Sequence, residues 1–586
     1  KWLLSDLLKD EYGFDGVVVS DWTAVKTTAE SMNAGLDLEM PGPALYRGQK
    51  LLDAIERGEV NVDMVTDGAR RILGLVDRAG VKNNGILPLQ AGQKKSVAVI
   101  GPNADVARIM GGGSARVNAH YRISPLEGLK ARDELDIRFE VGCANHLLLP
   151  VVQGPMTSTF YNSPDFTGPV AHEKQYNESD AKWFGSNEPG VDLKVFSVRN
   201  TFEFTPTESG RHELGLANAG LARLYVDDAL VVDGWDGWEP TGATYYDFGG
   251  DERIVEADLE AGKTYHFRVD YQSTTGVMDG IQAFRVGVHR PLGEAGLRRA
   301  EEIARDAEVA VLFVGRTPEW DSEGRDLPGL SLPREQDALI ARVAAANPNT
   351  VVVLQTGGPV VMPWKDDVAA ILEAWYPGQE LGHGVADVLM GDAEPGGRLP
   401  QTFPNALDAN PTIGNYPGDN GHVSYGEGVF IGYRHYDAKG GAGVLYPFGF
   451  GLSYTDFEIG APVASASEID AGGSVTVTVP VKNTGQRRGK AVVQLYVAPP
   501  EGRGRPVKEL RGFKALTLDP GAASEARIVL DMRDLAYFDV ESNAWKAPAG
   551  DYALWVGTSA ADLGGKVTLR LTEDWTKACK TAAPDA

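Results

Sequence analysis

The stretch GVVVSDW, residues 16–22, places three valines and a serine before a carboxylate and an indole. A continuous apolar run of this kind predicts a strand that is buried on both faces. Apolar residues at helical spacing precede it in residues 3–16, and a second helical pattern with a short strand, LDLEM, follows in residues 23–40. Strands that alternate with helices predict a parallel sheet covered by helices.

Asp21 ends the predicted buried strand and is therefore a candidate catalytic residue. In α/β barrels, the side chains that do chemistry project from the carboxyl ends of the strands. A second interpretation is that Asp21 caps a helix that begins near Thr23. The local residues leave both interpretations open.

Length and composition limit the class of protein. A chain of 586 residues is long enough for several cores, and it has no stretch close to the roughly 20 apolar residues of a membrane span. The net charge of −25 disfavours nucleic acid and anionic membranes, so neutral glycans are the easier partners. With only Cys143 and Cys579 and scattered histidines, we expect no disulfide framework, no metal site and no cofactor.

A second α/β region spans residues 83–144 and 290–455. Its continuous apolar runs are SVAVIG at 96–101, VAVLFVG at 309–315 and TVVVLQTG at 350–357, and helical patterns lie between them. Runs of this type predict parallel strands.

Two further regions alternate apolar and polar residues with the period of a strand. Residues 145–289 interrupt the second α/β region and predict an inserted all-β module, in which Asp227 and Asp228 suit a hairpin turn. Residues 460–576 predict a β-sandwich. The predicted fold class is therefore multidomain, α/β combined with all-β.

An acid-rich segment, PEWDSEGRDLPGLSLP at residues 318–333, follows the second of these apolar runs. A solvated charged loop is one interpretation of it. However, the segment also contains Trp320, and sugar sites combine carboxylates with an aromatic platform. The acids are Glu319, Asp321, Glu323 and Asp326.

The glycine-rich segment MGGGSA, residues 110–115, has neither the lysine of a P-loop nor the GxGxxG spacing of a dinucleotide site. Its glycines suit a close approach of backbone, with Ser114 near a sugar hydroxyl. An ordinary flexible turn explains the composition equally well. Asp21 and the acid-rich segment place carboxyl groups on separate loops, which suggests glycoside hydrolysis, a reaction that requires two carboxyl groups on either side of one bond.

Several long motifs, in order along the chain, resemble family 3 glycoside hydrolases of the β-glucosidase type. They cover nearly the whole sequence. They are GFDGVVVSDW (13–22), AGLDLEMPG (34–42), NNGILPL (83–89), SVAVIGPNA (96–104), EPGGRLPQTFP (394–404), EGVFIGYRHYD (427–437) and YPFGFGLSYTDF (446–457).

The resemblance implies residue roles. Asp21 matches the nucleophile and Glu323 the acid/base, with Glu319 as the fallback for that second role. Trp22 resembles an aromatic residue at the edge of a sugar subsite, and Ser114 resembles a sugar-contacting residue. For the mechanism, Glu323 must hold a proton near neutral pH, and we expect burial and a negative neighbour to favour this.

The resemblance also implies an architecture. Residues 1–78 match the last part of a (β/α)8-type barrel, so we expect a sequence truncated at its N-terminus, without the groups that hold the nonreducing sugar. The insertion resembles a PA14 domain, and the C-terminal sandwich resembles a fibronectin type III-like domain. The implied substrate is an oligosaccharide or β-glucoside, and a homo-oligomer is compatible with the sequence.

Two alternatives to an exo-acting, retaining β-glucosidase stay open. One is a β-xylosidase of the same family, because the pocket that distinguishes the two sugars is expected outside this sequence. The other is a noncatalytic glycan-binding fragment, because most of the barrel is expected to be absent.

Overall fold

The computed structural model describes most of the residues of the chain. They are residues 2–11, 18–21, 24–37, 39, 45–66, 79–89, 95–113, 119–183, 188–192, 195–241, 244–245, 248–273, 281–323, 326–500 and 504–579.

A six-stranded sheet lies at the centre of the described chain, in the spatial order β3-β2-β14-β15-β16-β1. The five strands from β3 to β16 are parallel, and β1 is antiparallel at the edge. This confirms the parallel pairing predicted from the apolar runs. The strands are β1 (Ala79–Asn83), β2 (Lys95–Ile100), β3 (Leu135–Glu140), β14 (Val309–Gly315), β15 (Thr350–Gln355) and β16 (Ala370–Glu373).

Helices cover both faces of this sheet, which is why its central strand β14 is apolar at every position. All seven residues of β14 are buried, and their side chains alternate between two hydrophobic cores. Helices Gly293–Arg305 and Gln336–Ala346 contribute to one core. Helices Pro125–Lys130 and Leu381–Met390 contribute to the other.

The insertion forms two antiparallel sheets around one core. The β9–β10 hairpin turns at Asp227 and Asp228, where φ is 47° and 66°, as expected of a turn with two left-handed residues. The hairpin predicted from this pair is confirmed. The strands are β4 (Gln153–Tyr161), β5 (Val170–Glu178), β6 (Asp180–Trp183), β7 (Ser197–Phe204), β8 (Gly210–Ala219), β9 (Leu221–Val226), β10 (Ala229–Gly234), β11 (Arg253–Leu259), β12 (Tyr265–Gln272) and β13 (Gln282–His289).

The C-terminal region packs two main sheets around another core, with a small three-stranded sheet beside them. A short pair, β17 (Phe403–Pro404) and β18 (Val444–Tyr446), precedes it. The strands are β19 (Phe457–Ile459), β20 (Val463–Ala464), β21 (Glu468–Ile469), β22 (Val475–Asn483), β23 (Gly489–Ala498), β24 (Glu509–Leu518), β25 (Ala523–Leu530), β26 (Tyr537–Asp539), β27 (Ala544–Ala547), β28 (Gly550–Gly557), β29 (Leu563–Leu571) and β30 (Trp575–Ala578).

The first 66 residues contain short helices around a small core of Met32, Ala54 and Val60. The helix predicted from residue 23 onward begins only at Ala29. Its predicted first turn contains Thr23, Val25 and Thr27, and β-branched residues lose side-chain freedom in a helix. The helices of this part are Trp2–Glu11 (π-type), Ala29–Asn33 and Gln49–Glu56.

Further short helical segments are residues 62–66, Leu407–Ala409 (3-10), Tyr433–Ala438 and Met532–Leu535. Within the part of the chain that the structure describes, no helix has the length and apolar character needed to cross a bilayer.

Gly128 provides a test of helix packing on the sheet. A Cβ at Gly128 would lie 2.2 Å from the backbone of Gly382 in the facing helix. We expect Gly128→Ala to force these helices apart and to lower the free energy of unfolding by about 1–3 kcal/mol, as overpacked cores do. Denaturant unfolding measures this. Gly329→Ala is the control, because a Cβ there meets nothing within 4 Å. Equal stability of the two variants would contradict the prediction.

Candidate active site

The candidate site lies where the chain changes direction across the central sheet. From β2 the chain continues to β3 on one side, whereas β14, the other neighbour of β2, leads to β15 and β16 on the other side. Ligands of open α/β sheets bind at the carboxyl ends of the strands at such a switch point. The loops that leave this edge contain the glycine-rich segment, after β2, and the acid-rich segment, after β14.

These two loops are in contact through their backbones. The amide of Gly112 donates a hydrogen bond of 2.8 Å to the carbonyl of Asp321. A Cβ at Gly112 would lie 1.9 Å from the carbonyl oxygen of Pro318, and one at Gly113 would lie 2.5 Å from the Cβ of Glu323. Close approach to the acid-rich loop therefore explains Gly112 and Gly113, whereas the predicted approach to a sugar hydroxyl stays a prediction. Ser114, the predicted sugar contact, lies outside the described residues.

Glu323 is exposed on this loop, directly against Gly113. The expectation that Glu323 is buried is therefore wrong in this structure. The physical reason is that Asp321 and Glu319 of the same loop bond to the sheet and to Arg285, whereas Glu323 lies at the surface.

Asp321, two residues earlier, faces the interior. Its Oδ2 accepts hydrogen bonds of 2.7 Å from the amide of Gly357 and of 2.7 Å from the hydroxyl of Tyr376. Its Oδ1 lies 3.5 Å from the buried guanidinium of Arg316. Burial, with the nearby charge of Asp321, holds the pKa of Tyr376 well above its ordinary value. Asp321 thus fixes the loop to the carboxyl ends of three strands.

Sequence reasoning missed Arg316 and Tyr376. A signal for Arg316 was present, since it is a charged residue that directly follows a wholly apolar strand. Tyr376 gave no comparable signal, because it lies three residues beyond the end of β16 and meets Asp321 only through the adjacency of strands in the sheet.

Trp320 is partly buried, and its Nε1 donates a hydrogen bond of 2.8 Å to the carbonyl of Asn145. It lines an open cleft of about 470 Å³ together with Asp321, Ser322, Asp326, Leu327, Gly357 and Gly358. The hydroxyl of Tyr416 donates to Asp326 at 2.7 Å on the same side of the loop. The cleft therefore combines the indole of Trp320 with polar groups of the loop that carries Glu323.

Glu319, the fallback for the acid/base role, is engaged in an ion pair. Its Oε1 lies 2.9 Å from the guanidinium of Arg285, in β13 of the inserted module, and its Oε2 accepts from the amide of Leu147 at 3.3 Å. Only 10% of the Arg285 side chain is exposed. Glu319 therefore links this loop to the inserted module.

Asp21 is exposed just after the bridged residue Val19, and its carbonyl accepts a hydrogen bond of 3.2 Å from the amide of Ala24. The interpretation that Asp21 caps a helix near Thr23 is wrong, because residues 24–27 are not helical. Trp22 lies outside the described residues.

A buried ion pair fastens the segment that leads to Asp21. Among the described residues 18–20, only Val19 forms a β-bridge, and its side chain is exposed, so the prediction of a buried strand is wrong there. The carboxylate of Asp37 accepts hydrogen bonds from the Nζ of Lys9 at 2.9 Å and from the amide of Val18 at 2.8 Å. The exposed fractions of the Lys9 and Asp37 side chains are 8% and 2%. The amide of Asp37 also donates to the carbonyl of Val18. This interaction, which the sequence analysis did not anticipate, sets the position of the segment that ends at Asp21.

Comparison with known proteins identifies the class. The chain belongs to glycosyl hydrolase family 3. The model of the glycosyl hydrolase family 3 C-terminal domain matches residues 81–454, and that of the family 3 N-terminal domain matches residues 1–75. A fibronectin type III-like domain matches residues 491–560. The chain is therefore that of a glycoside hydrolase.

Individual relatives cover nearly the whole chain. It is 47% identical to a beta-glucosidase of Rhizobium radiobacter, over 98% of this chain and 75% of the relative. Its fold is similar to that of a beta-glucosidase of Kluyveromyces marxianus solved in complex with glucose, with a TM-score of 0.79, 32% identity and coverage of 98% and 75%. A beta-glucosidase of Streptomyces venezuelae, solved with D-glucose, matches with a TM-score of 0.61, 30% identity and coverage of 97% and 74%.

Glu373, at the end of β16, is a buried carboxyl group next to this site. Burial raises its pKa from 4.5 to about 8, although it accepts hydrogen bonds from the amide of Trp375 and the hydroxyl of Thr356. The carboxyl group of Glu373 thus binds its proton more tightly in the native state than in the unfolded chain. The stabilisation is complete below about pH 4.5 and is lost as the pH rises to about 8.

This shift predicts a pH-dependent stability. Between about pH 4.5 and pH 8, we expect the ionisation of Glu373 to lower the free energy of unfolding by up to roughly 1.4 kcal/mol per pH unit. Glu373→Gln, which cannot ionise, should remove this slope, as measured by denaturant unfolding between pH 5 and pH 8. The exposed Glu458→Gln is the control and should keep it. An unchanged slope in Glu373→Gln would refute the assignment.

Proposed function

We propose that the protein is an exo-acting, retaining β-glucosidase that removes terminal β-D-glucosyl residues from oligosaccharides or aryl glucosides. The observation that carries this proposal is the position of Glu323: an exposed carboxyl group, backed by glycine backbone, at the switch point of the sheet in a family 3 chain. The named activity of the Rhizobium radiobacter relative supports the choice of reaction.

In the proposed mechanism, Asp21 is the nucleophile and Glu323 is the acid/base. The ionised carboxylate of Asp21 attacks the anomeric carbon while Glu323 gives its proton to the departing glycosidic oxygen, so that a glucosyl–Asp21 ester forms and the aglycone leaves neutral. Glu323 then takes a proton from water, which attacks the same carbon, releases β-glucose and restores both carboxyl groups. Retention requires the two groups to come within about 5–5.5 Å of each other. Two displacements replace one difficult step.

The modules have proposed identities. Residues 1–78 form the C-terminal part of a barrel, and residues 83–144 and 290–455 form the α/β sandwich domain. Residues 145–289 form a PA14-like module that limits the length of the substrate, and residues 460–576 form the fibronectin type III-like domain. The two antiparallel sheets of the insertion, and the fibronectin type III-like match within the last range, support this division.

Glucose is proposed over xylose as the sugar removed. Structures of two similar enzymes were solved with glucose, those of Kluyveromyces marxianus and Streptomyces venezuelae. Hydrolysis of nitrophenyl β-glucoside and nitrophenyl β-xyloside by the same preparation tests this choice. A higher kcat/KM for the xyloside would replace the proposal with a β-xylosidase. Saccharide binding without turnover would replace it with a glycan-binding protein.

The assignment of the nucleophile predicts the behaviour of Asp21→Asn. We expect this variant to lose turnover of nitrophenyl β-glucoside by at least about 10³-fold, because the covalent route needs the carboxylate. A 2-fluoroglucoside should label Asp21 in the wild-type protein, as read by mass spectrometry of peptides. The exposed Asp63→Asn is a control for a lost surface charge. A label on another residue would overturn the assignment.

The acid/base assignment predicts a dependence on the leaving group. Glu323→Gln should slow release of poor leaving groups by about 10²–10⁴-fold, and should spare a dinitrophenol, which leaves without a proton. Azide should restore turnover as a glucosyl azide, because it needs no general base. Glu319→Gln should show no rescue by azide. If azide rescues Glu319→Gln and not Glu323→Gln, the two roles are exchanged.

A further inference from the structure

The segment that joins β3 to the inserted module is bound by both of its neighbours. The backbone of residues 145–149 receives or gives hydrogen bonds at four of its five positions. Loops at domain boundaries commonly have few contacts of this kind. The segment therefore acts as a fixed junction between the module and the α/β domain.

From the α/β side, the bonds come from the loop that carries Glu323. The indole of Trp320 donates to the carbonyl of Asn145 at 2.8 Å, and Glu319 accepts from the amide of Leu147 at 3.3 Å. At the far end of the same loop, the Nε of Arg334 donates to the carbonyl of His146 at 2.8 Å. The acid-rich loop thus binds the junction through residues near both ends of the loop.

From the module side, Arg285 and Glu252 hold the same junction. One nitrogen of Arg285 donates to the carbonyl of Leu149 at 2.7 Å, and Glu252 accepts from the amide of Leu149 at 3.0 Å. The other terminal nitrogen of Arg285 contacts Glu319 directly at 2.9 Å. Arg285 is therefore bonded at once to the junction and to the loop that carries Glu323.

Burial and rigidity make Arg285 effective as a support. It lies in β13, which pairs with β8 on one side and with β6 on the other. Its guanidinium is largely shielded from water, so its charge-assisted bonds are stronger than those of a surface pair. A side chain fixed in this way can hold Glu319 with little freedom.

We propose that Arg285 is a positioning residue of the active site, through which the inserted β module fixes the loop segment from Glu319 to Glu323. Glu319 is held by the module and Asp321 by the sheet, so the chain enters Glu323 from a segment fixed on both sides. The consequence for catalysis rests on the proposed function, whereas the consequence for loop order does not.

Hydrogen exchange on the full chain tests directly whether Arg285 fixes the loop segment. We expect amides in peptides covering residues 316–323 to exchange about tenfold faster in Arg285→Gln and in Glu319→Gln than in the wild type, because local opening loses the ion pair. Arg285→Lys, which keeps the charge, should recover part of the protection. Arg199→Gln is the matched control: it breaks an arginine–aspartate pair, 2.9 Å from Asp270, that lies in the other sheet of the module.

Unchanged exchange of residues 316–323 in both Arg285→Gln and Glu319→Gln would overturn the proposal. If Arg285→Gln does not fold, Glu319→Gln together with Trp320→Phe, which removes the donor to Asn145, decides the question by the same measurement. Faster exchange in Arg199→Gln as well would also overturn it, because the effect would then be a general loosening of the module.

Kinetics test the catalytic part and separate it from the proposed function. In a protein that hydrolyses nitrophenyl β-glucoside, Arg285→Gln should lower kcat by about 10- to 100-fold with little change in KM, as a displaced catalytic group does. Arg199→Gln should stay within about twofold of the wild type, and Arg285→Lys should regain part of the loss. If the wild type has no turnover while the exchange results hold, the proposed function fails and the positioning role stands. Normal kcat in Arg285→Gln overturns the catalytic role.

Discussion

The parallel pairing of β2 with β14 is the constraint on which the candidate site depends. Because the chain leaves these neighbouring strands in opposite directions across the sheet, the loops beyond their carboxyl ends meet at one place. Two segments about 210 residues apart, one rich in glycine and one rich in acids, are thereby brought into backbone contact. The insertion of the β module between them in the chain does not alter this pairing.

Buried polar groups hold this edge of the sheet in place. Arg316 and Asp321, which both follow β14, form one cluster with Tyr376, which follows β16, at the base of the acid-rich loop. Glu373 lies nearby as a carboxyl group that favours its protonated form. Buried polar networks of this kind specify a single geometry when their members are satisfied. They allow Glu323 to be exposed without the loop around it being loose.

The inserted module contributes to the same geometry from the opposite side. An ion pair between Arg285 and Glu319, together with bonds to the short junction at residues 145–149, links the module to the loop. A similar interaction occurs in the N-terminal part, where the buried Lys9–Asp37 pair fastens the segment that leads to Asp21. In both places a buried charge pair positions a segment that ends in a candidate catalytic carboxyl group. The convergence of Asp21 and Glu323 on one bond stays a prediction.

The sequence by itself determined three strands of the central sheet, β2, β14 and β15, the β character of the insertion and the C-terminal region, and the turn at Asp227 and Asp228, because these follow from local patterns of apolar residues and turn formers. Its motifs also determined the family. Only the tertiary structure decided that Glu319 is paired with Arg285, that Asp321 faces inward and that Glu323 is exposed, since four acids in one loop look alike until their partners are known. Tyr376 reaches the loop through strand order and Arg285 through module packing, and neither of these leaves a periodic signal in the sequence.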